Sequence, residues 1–203
     1  KNHETQNVIG YIEGTTTDSL LVFTAHYDHL GMMGRQTIFP GANDNASGVS
    51  MLLNLMKYFS KARPKYTVVF IAFAAEEIGL VGSGYFTSHP LFPLTQIKFL
   101  INFDLAGTGD DGIQVVNGKV YQRKFDLIVR LNEQNKLLKQ IKIRGEACNS
   151  DHCMFHAKGV PCFYIYTLGG IQAYHDIYDR AETLPLTDYQ DYFVLLTKFV
   201  ETL

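Results

Sequence analysis

No apolar run in this sequence is long enough to cross a bilayer. The longest, Tyr66 to Ala75, covers ten residues, against the roughly 20 that a membrane helix needs. The opening residues also lack the charged-then-apolar pattern of a signal peptide, so a soluble chain is expected, with prior removal of a leader left open. Charge of one sign is scarce as well: 18 Lys and Arg against 20 Asp and Glu leave a formal net charge of −2. That balance offers no basic surface to nucleic acid or another polyanion. Repeats, low-complexity stretches and linker-like runs are missing too. Residues 1–203 therefore read as one continuous domain, of a size that buries a core without staples.

Cysteine is sparse, and its three copies cannot all pair with one another. Cys148 and Cys153 bracket Asn149-Ser150-Asp151-His152, so a short-loop disulfide in an oxidising compartment is one reading, and three reduced thiols are the other. Cys162 sits in an apolar run and reads as a small buried hydrophobe. A Cys-Cys-His metal site built from Cys148, His152, Cys153 and His156 is the less favoured reading.

What the chain does have is a recurrence of apolar, β-branched and aromatic runs: Leu20 to Ala25, Tyr66 to Ala75, Phe99 to Phe103 and Pro161 to Tyr166. Each is too continuous for simple alternation, which suits strands buried on both faces. Helical periodicity lies between them. Val49, Leu52, Leu53, Met56 and Phe59 share one face, as do Tyr192, Leu195, Leu196, Phe199 and Leu203, and a third helix is expected within Tyr121 to Leu138. The first of these should start near Asn45 or Ser47 and end before Pro64. Asn7 to Glu13 and Ser19 to Thr24, split by Gly14 to Asp18, read as a hairpin. The alternation implies a three-layer α/β/α sandwich around a central mixed, mostly parallel sheet.

In such sheets ligands bind beyond the carboxyl ends of the strands, and here those ends are unusually polar. The first run ends in His26-Tyr27-Asp28-His29, the second in Glu76-Glu77 and the third in Asp104; His175-Asp176 and Asp179 follow the fourth, and Asp44 lies in a loop before a helix. Taken singly, Asp44 is explained as a helix cap and His26 as a surface imidazole. Glu76, Glu77 and Asp104 resist that treatment, because each follows an apolar run where an unpaired carboxylate is costly to bury. A single metal site explains all of them, and mixed imidazole and carboxylate donors suit zinc. Two divalent ions would outweigh the carboxylates of Asp44, Glu77 and Asp104, leaving positive charge to acidify a water and to stabilise an oxyanion. Only one of the Glu76-Glu77 pair need face a metal; the other is free to move a proton.

Five segments, in order, resemble the co-catalytic zinc aminopeptidases of peptidase family M28, a group that includes bacterial leucyl aminopeptidases and glutamate carboxypeptidase relatives. They are Thr24 to Gly31 (TAHYDHLG), Pro40 to Gly48 (PGANDNASG), Phe73 to Ser83 (FAAEEIGLVGS), Asn102-Phe103-Asp104, and Tyr174-His175 with Asp179. The resemblance implies that His26 and Asp104 hold one zinc, Glu77 and His175 a second, and that Asp44 bridges both. It makes Glu76 the general base, Asp28 the carboxylate that receives the other N–H of the His26 imidazole, and Tyr174 a donor to the tetrahedral oxyanion. His29 is not a ligand in this assignment. Ser150, Asp151 and His152 resemble a segment near the substrate, flanked in some members by a disulfide; a helix cap is the competing reading. Asn43 stands where many relatives have a second Asp. Relatives also carry an extra segment before the opening strand, which implies a catalytic domain trimmed at its N-terminus and, like them, extracytoplasmic. The sequon Asn45-Ala46-Ser47 beside Asp44 reads as a chance match.

The expected activity is that of a dinuclear zinc aminopeptidase, an exopeptidase hydrolysing N-terminal amino acids from peptides, with two Zn²⁺ per chain, peptides as partners and Glu76 as base. Nothing in the sequence sets an oligomeric state. Alternatives within the superfamily are a glutaminyl cyclase, which works with one zinc, and a carboxypeptidase, which needs a cation such as Arg35, Arg144 or Arg180. A non-catalytic peptidase-like binding domain is disfavoured, because loss of catalysis normally removes ligands or base, and all are present here.

Overall fold

In the computed structural model, which describes residues 4–61 and 63–203, the apolar runs become strands of one sheet. In chain order the elements are β1 (Val8–Ile12), β2 (Thr16–His26), the small β3–β4 hairpin (Gly31–Met33, Thr37–Phe39), α1 (Gly48–Phe59), β5 (Tyr66–Phe73), α2 (Val81–Ser88), β6 (Ile97–Phe103), β7 (Ile113–Val116), α3 (Gln122–Asn135), β8 (Ile141–Ile143), α4 (His152–His156), β9 (Cys162–Thr167) and α5 (Tyr189–Glu201). The seven-stranded sheet has the order β1-β5-β2-β6-β9-β7-β8. The four central strands β5, β2, β6 and β9 run parallel. β1 is antiparallel to β5, and β7 to β9.

The expected hairpin of Asn7–Glu13 with Ser19–Thr24 does not form. β5 inserts between the two strands, pairing antiparallel with β1 and parallel with β2. Burial explains the preference: β5 is apolar along its length, and only a central position covers both its edges and both its faces.

Helices α1, α3 and α5 cover one face through Met51, Leu55, Phe59, Phe125, Ile128, Tyr192, Leu195 and Phe199. The other face packs on α2 and α4 through Phe86 and Phe155, forming a second, smaller core. This is the three-layer sandwich expected. One side chain was misassigned: Leu53 is 60% exposed, and Leu55, fully buried, takes its place on the core face of α1. The start of α1 is held by Asn45, whose Oδ1 accepts the Gly48 N–H at 3.0 Å. No described helix is long and apolar enough to cross a membrane.

Candidate metal centre

The parallel strands all end on the same side, and the polar residues that follow them converge there. His26 is the last residue of β2, Glu76 and Glu77 follow β5, Asp104 follows β6, and His175 lies in the segment after β9. Asp44 enters from the turn Ala42–Ser47 ahead of α1. His26 Nε2 lies 3.3 Å from Asp44 Oδ1 and 3.5 Å from Asp104 Oδ2. His175 Nε2 lies 3.3 Å from Asp44 Oδ2 and 3.2 Å from Glu77 Oε2. The two oxygens of Asp44 therefore face different imidazoles. Ligands about 2.0–2.1 Å from a tetrahedral zinc stand about 3.3–3.4 Å from one another, so these separations match the edges of a zinc coordination shell. Glu76 also brings an oxygen within 4.8 Å of donor atoms on His26 and Asp104.

The electrostatics point the same way. Burial raises the carboxyls of Glu77 and Asp104 above their ordinary range, and the neighbouring Asp44 carboxylate adds to this in both. Glu76 is pushed up to about 8, chiefly by burial and further by Asp151, Asp104 and Glu77. Burial alone would lower His26, but bonds to Asp104 and Asp44 outweigh it and raise the imidazole to about 12. A buried cluster that recruits protons onto both its acids and its base is short of cations. One oxygen, Oδ1 of Asp104, is buried with no hydrogen-bond partner among the described residues. The donor set, the spacing and this deficit of positive charge all fit zinc.

Carboxylates grip the backbone on both sides of the cluster. Asp28 accepts the N–H groups of Glu76 and Glu77 at 3.1 and 3.2 Å. The imidazole of His26 does not use that carboxylate as expected: its Nδ1 lies 3.1 Å from the Asp28 backbone carbonyl and 3.8 Å from Oδ1. The carboxylate is turned away by its fork onto Glu76 and Glu77. Asp179, 1% exposed, forms the matching fork on the opposite side, accepting from Asn43 N at 2.7 Å and Asp44 N at 2.9 Å. The sequence marked Asp179 only as part of a motif, because a fork onto residues 135 positions away has no local signal. His29 is not among the closest donors; its Nδ1 lies 2.8 Å from Glu77 Oε1 and orients that carboxylate.

The turn that carries Asp44 depends on its flanking residues. Asn43 Oδ1 accepts the Gly107 N–H at 2.8 Å, tying the turn to the end of β6. Asn45 is buried, and its amide nitrogen donates to the Phe103 carbonyl at 2.9 Å, so the sequon has no accessible acceptor. Gly41 has φ +67°, and a Cβ there would run into the Asp44 carbonyl and the His29 ring. Non-glycine left-handed backbone is uncommon and collects at functional sites. Ala75, Leu105 and His175 all adopt it, beside or at candidate ligands.

The profile of peptidase family M28 matches residues 7–200. The chain belongs to peptidase family M28. Over 110 residues this M28 chain is 34% identical to Aminopeptidase YwaD of Bacillus subtilis, a stretch that covers 53% of this chain and 23% of that protein. A solved zinc aminopeptidase from Bacillus subtilis has a TM-score of 0.80 at 26% identity, covering 97% of this chain and 49% of that one. A glutaminyl cyclase from an Acidobacteriales bacterium has a TM-score of 0.82 at 20% identity, over 97% of this chain and 72% of that one, and shares the fold. The chain thus spans about half the length of the aminopeptidase structure it matches.

In this M28 domain, Ser150, Asp151 and His152, expected near the substrate, do not line the cavity that holds the candidate ligands. All three are fully buried, within the loop that the Cys148–Cys153 disulfide closes. Ser150 instead relays a hydrogen-bond chain. Thr24 donates to Asn102 at 2.6 Å, Asn102 to Ser150 at 2.8 Å, and Ser150 to Asp104 Oδ2 at 3.3 Å. His152 stacks on Tyr164, with ring centroids 5.0 Å apart, and burial lowers it to about 4. Asp151 is the N-cap residue of α4 without making a side-chain cap bond. Its carboxylate has no hydrogen-bond partner among the described residues, and burial raises it to about 7, partly offset by the nearby Ser83 hydroxyl and His26.

The residue of this loop that does reach the cleft is Asn149. It joins Leu105, Tyr164, Tyr166 and Tyr174 around the candidate ligands, in a cavity of about 290 Å³. Ile171 lines an adjoining cavity of about 310 Å³ that shares Leu105 and Tyr174. Tyr174 is 65% exposed and stacks on His175 at 3.9 Å. Partial burial and the carboxylates of Asp44, Asp104, Glu77 and Glu76 raise its phenol to about 12, which keeps the hydroxyl proton in place.

Proposed function

We propose that this M28 domain is a dinuclear zinc exopeptidase that hydrolyses N-terminal amino acids from peptides. The observation that carries the reading is the position of Asp44, with one oxygen 3.3 Å from His26 and the other 3.3 Å from His175. His26 and Asp104 would hold one zinc, Glu77 and His175 the other, and Asp44 would bridge them. Bound zinc would supply the Lewis acidity that polarises the scissile carbonyl and lowers the pKa of the attacking water. Similarity to the Bacillus subtilis aminopeptidases supports the choice of N-terminal cleavage.

The chain's own groups move the proton. Glu76, half-buried beside His26 and Asp104, takes it from the attacking water and delivers it to the leaving amine. Its carboxyl, pushed up to about 8 chiefly by burial, would fall with cations bound nearby, leaving a carboxylate able to take the proton. The protonated Tyr174 hydroxyl donates to the oxyanion as it develops. Asp28 acts on Glu76 through the backbone and holds it against the cluster. The disulfide supports the extracytoplasmic placement expected for the domain.

Glu76→Gln tests the assignment. It keeps size and hydrogen bonding but cannot take a proton. The expected result is a loss of about 10²–10⁴-fold in kcat with unchanged zinc content, measured on a short unblocked peptide. Full activity in the variant would remove Glu76 from the mechanism.

A further inference from the structure

Arg35, Arg144 and Arg180 stand differently toward the cleft. Arg35 lies exposed in the turn of the β3–β4 hairpin. Arg180 is exposed, packs over Tyr178 and donates to the Ile177 carbonyl at 2.9 Å. Arg144 is half-buried just past the end of β8, and its Nη1 donates to the Tyr166 hydroxyl at 3.2 Å. Among the described residues, no carboxylate lies within ion-pairing distance of it. A half-buried guanidinium that rests on a neutral phenol has lost part of its hydration without gaining a counter-ion.

The sheet puts that phenol beside the metal-binding residues. Phe103 of β6 pairs with Ile165 of β9, so the next residues, Asp104 and Tyr166, are neighbours across one strand spacing, about 4.8 Å. Tyr166 lines the same cavity as His26, Asp44, Glu76, Glu77 and Asp104. β8 lies two strand spacings from β9, roughly 10 Å, and the Arg144 side chain spans that gap. The cleft therefore has carboxylates on one wall, where cations would sit, and on the other a phenol with an uncompensated guanidinium behind it. Because Tyr166 accepts from Arg144, its own hydroxyl proton is free to be donated.

We infer that Arg144 and Tyr166 together bind a carboxylate of the substrate within about one residue of the scissile bond, making the domain selective for anionic short peptides. The inference rests on the peptidase reading above. Two sources carry the same chemistry: an acidic N-terminal side chain and the C-terminal carboxylate of a dipeptide. Guanidinium and carboxylate form the stronger, charge-assisted kind of hydrogen bond, and substrate entry would give Arg144 the counter-ion it lacks.

Two substrate pairs separate the sources: a Glu-initiated against a Gln-initiated peptide amide, and Leu-Leu against Leu-Leu amide. For at least one pair the zinc-loaded wild type should prefer the anionic member. Arg144→Gln should cut kcat/KM for that member by about 10–100-fold, mostly through KM, and leave its neutral partner within about twofold. Tyr166→Phe should give a smaller loss of the same selectivity. The same comparison is made calorimetrically in a Glu76→Gln background, where the dissociation constant of the anionic member should rise with Arg144→Gln by a similar factor. Equal losses on all four substrates, or a preference unaffected by Arg144→Gln, would overturn the inference while leaving the peptidase reading intact. A wild type that cleaves none of the four would count against that reading instead, and calorimetry would still decide whether Arg144 binds carboxylates.

Discussion

Glu76 and Glu77 are adjacent in sequence yet differ in their surroundings: His29 and His175 hold Glu77 among the donors, while Glu76 stands nearer His26 and Asp104. The proposed division of labour between ligand and base would follow from the backbone that carries them, which Asp28 fixes by accepting both N–H groups. Asp179 does the same for Asn43 and Asp44. Groups that orient ligands typically contribute 10–100-fold to metal affinity or activity. Asp179→Asn removes one arm of its fork and should weaken zinc binding within that range, as read by competition with a chelator; unchanged affinity would show that the turn holds Asp44 unaided. A second residue-scale prediction concerns His152. Its native value near 4 lies below the unfolded 6.5, so between these pH values the unfolded chain binds a proton that the native one excludes. Stability is therefore lost as pH falls from about 6.5 toward 4. His152→Gln should flatten that part of the curve in denaturant titrations, and an unchanged slope would refute the assignment.

At the scale of elements, the sequence revealed more of the core than of its edges. The four central strands declared themselves because burial on both faces demands unbroken apolar runs, and α1, α3 and α5 because each has one apolar stripe. β7 and β8 are four and three residues long, too short for a pattern. α2 reads Val-Gly-Ser-Gly-Tyr-Phe-Thr-Ser, poor helix formers selected for close packing: a Cβ on Gly82 would meet the Ala74 carbonyl. The mistaken hairpin shows why strand order is harder still, since adjacency in sequence does not reveal that β5 fits between β1 and β2. In the candidate site, the residues after the strands were legible because charge there is conspicuous. The forks of Asp28 and Asp179 and the relay through Ser150 were not, because they depend on which loops meet. That relay lies in the disulfide loop, which predicts a coupled effect. Replacing Cys148 and Cys153 by Ser should cost about 2 kcal/mol for so short a loop, lowering Tm by about 4–8 °C. It should also weaken zinc binding by loosening Ser150 from Asp104. Loss of stability with zinc affinity untouched would disprove the coupling.

For the whole molecule, the arrangement places rigid parallel strands beneath a rim of loops that carry opposite requirements. The core needs apolar continuity, whereas the rim gathers His26, Asp44, Glu76, Glu77 and Asp104 with too little positive charge to balance them. That deficit suits the rim to cations, and the proposal of two ions rests on the two-sided contact of Asp44 with His26 and His175. The most direct test is to titrate zinc into the metal-free protein while following release of the N-terminal residue from a short peptide amide, with its acetylated form as control. Activity should rise to a plateau at two equivalents of zinc per chain, and the acetylated peptide should stay intact. A plateau at one equivalent, or no release at any zinc concentration, would contradict the dinuclear exopeptidase.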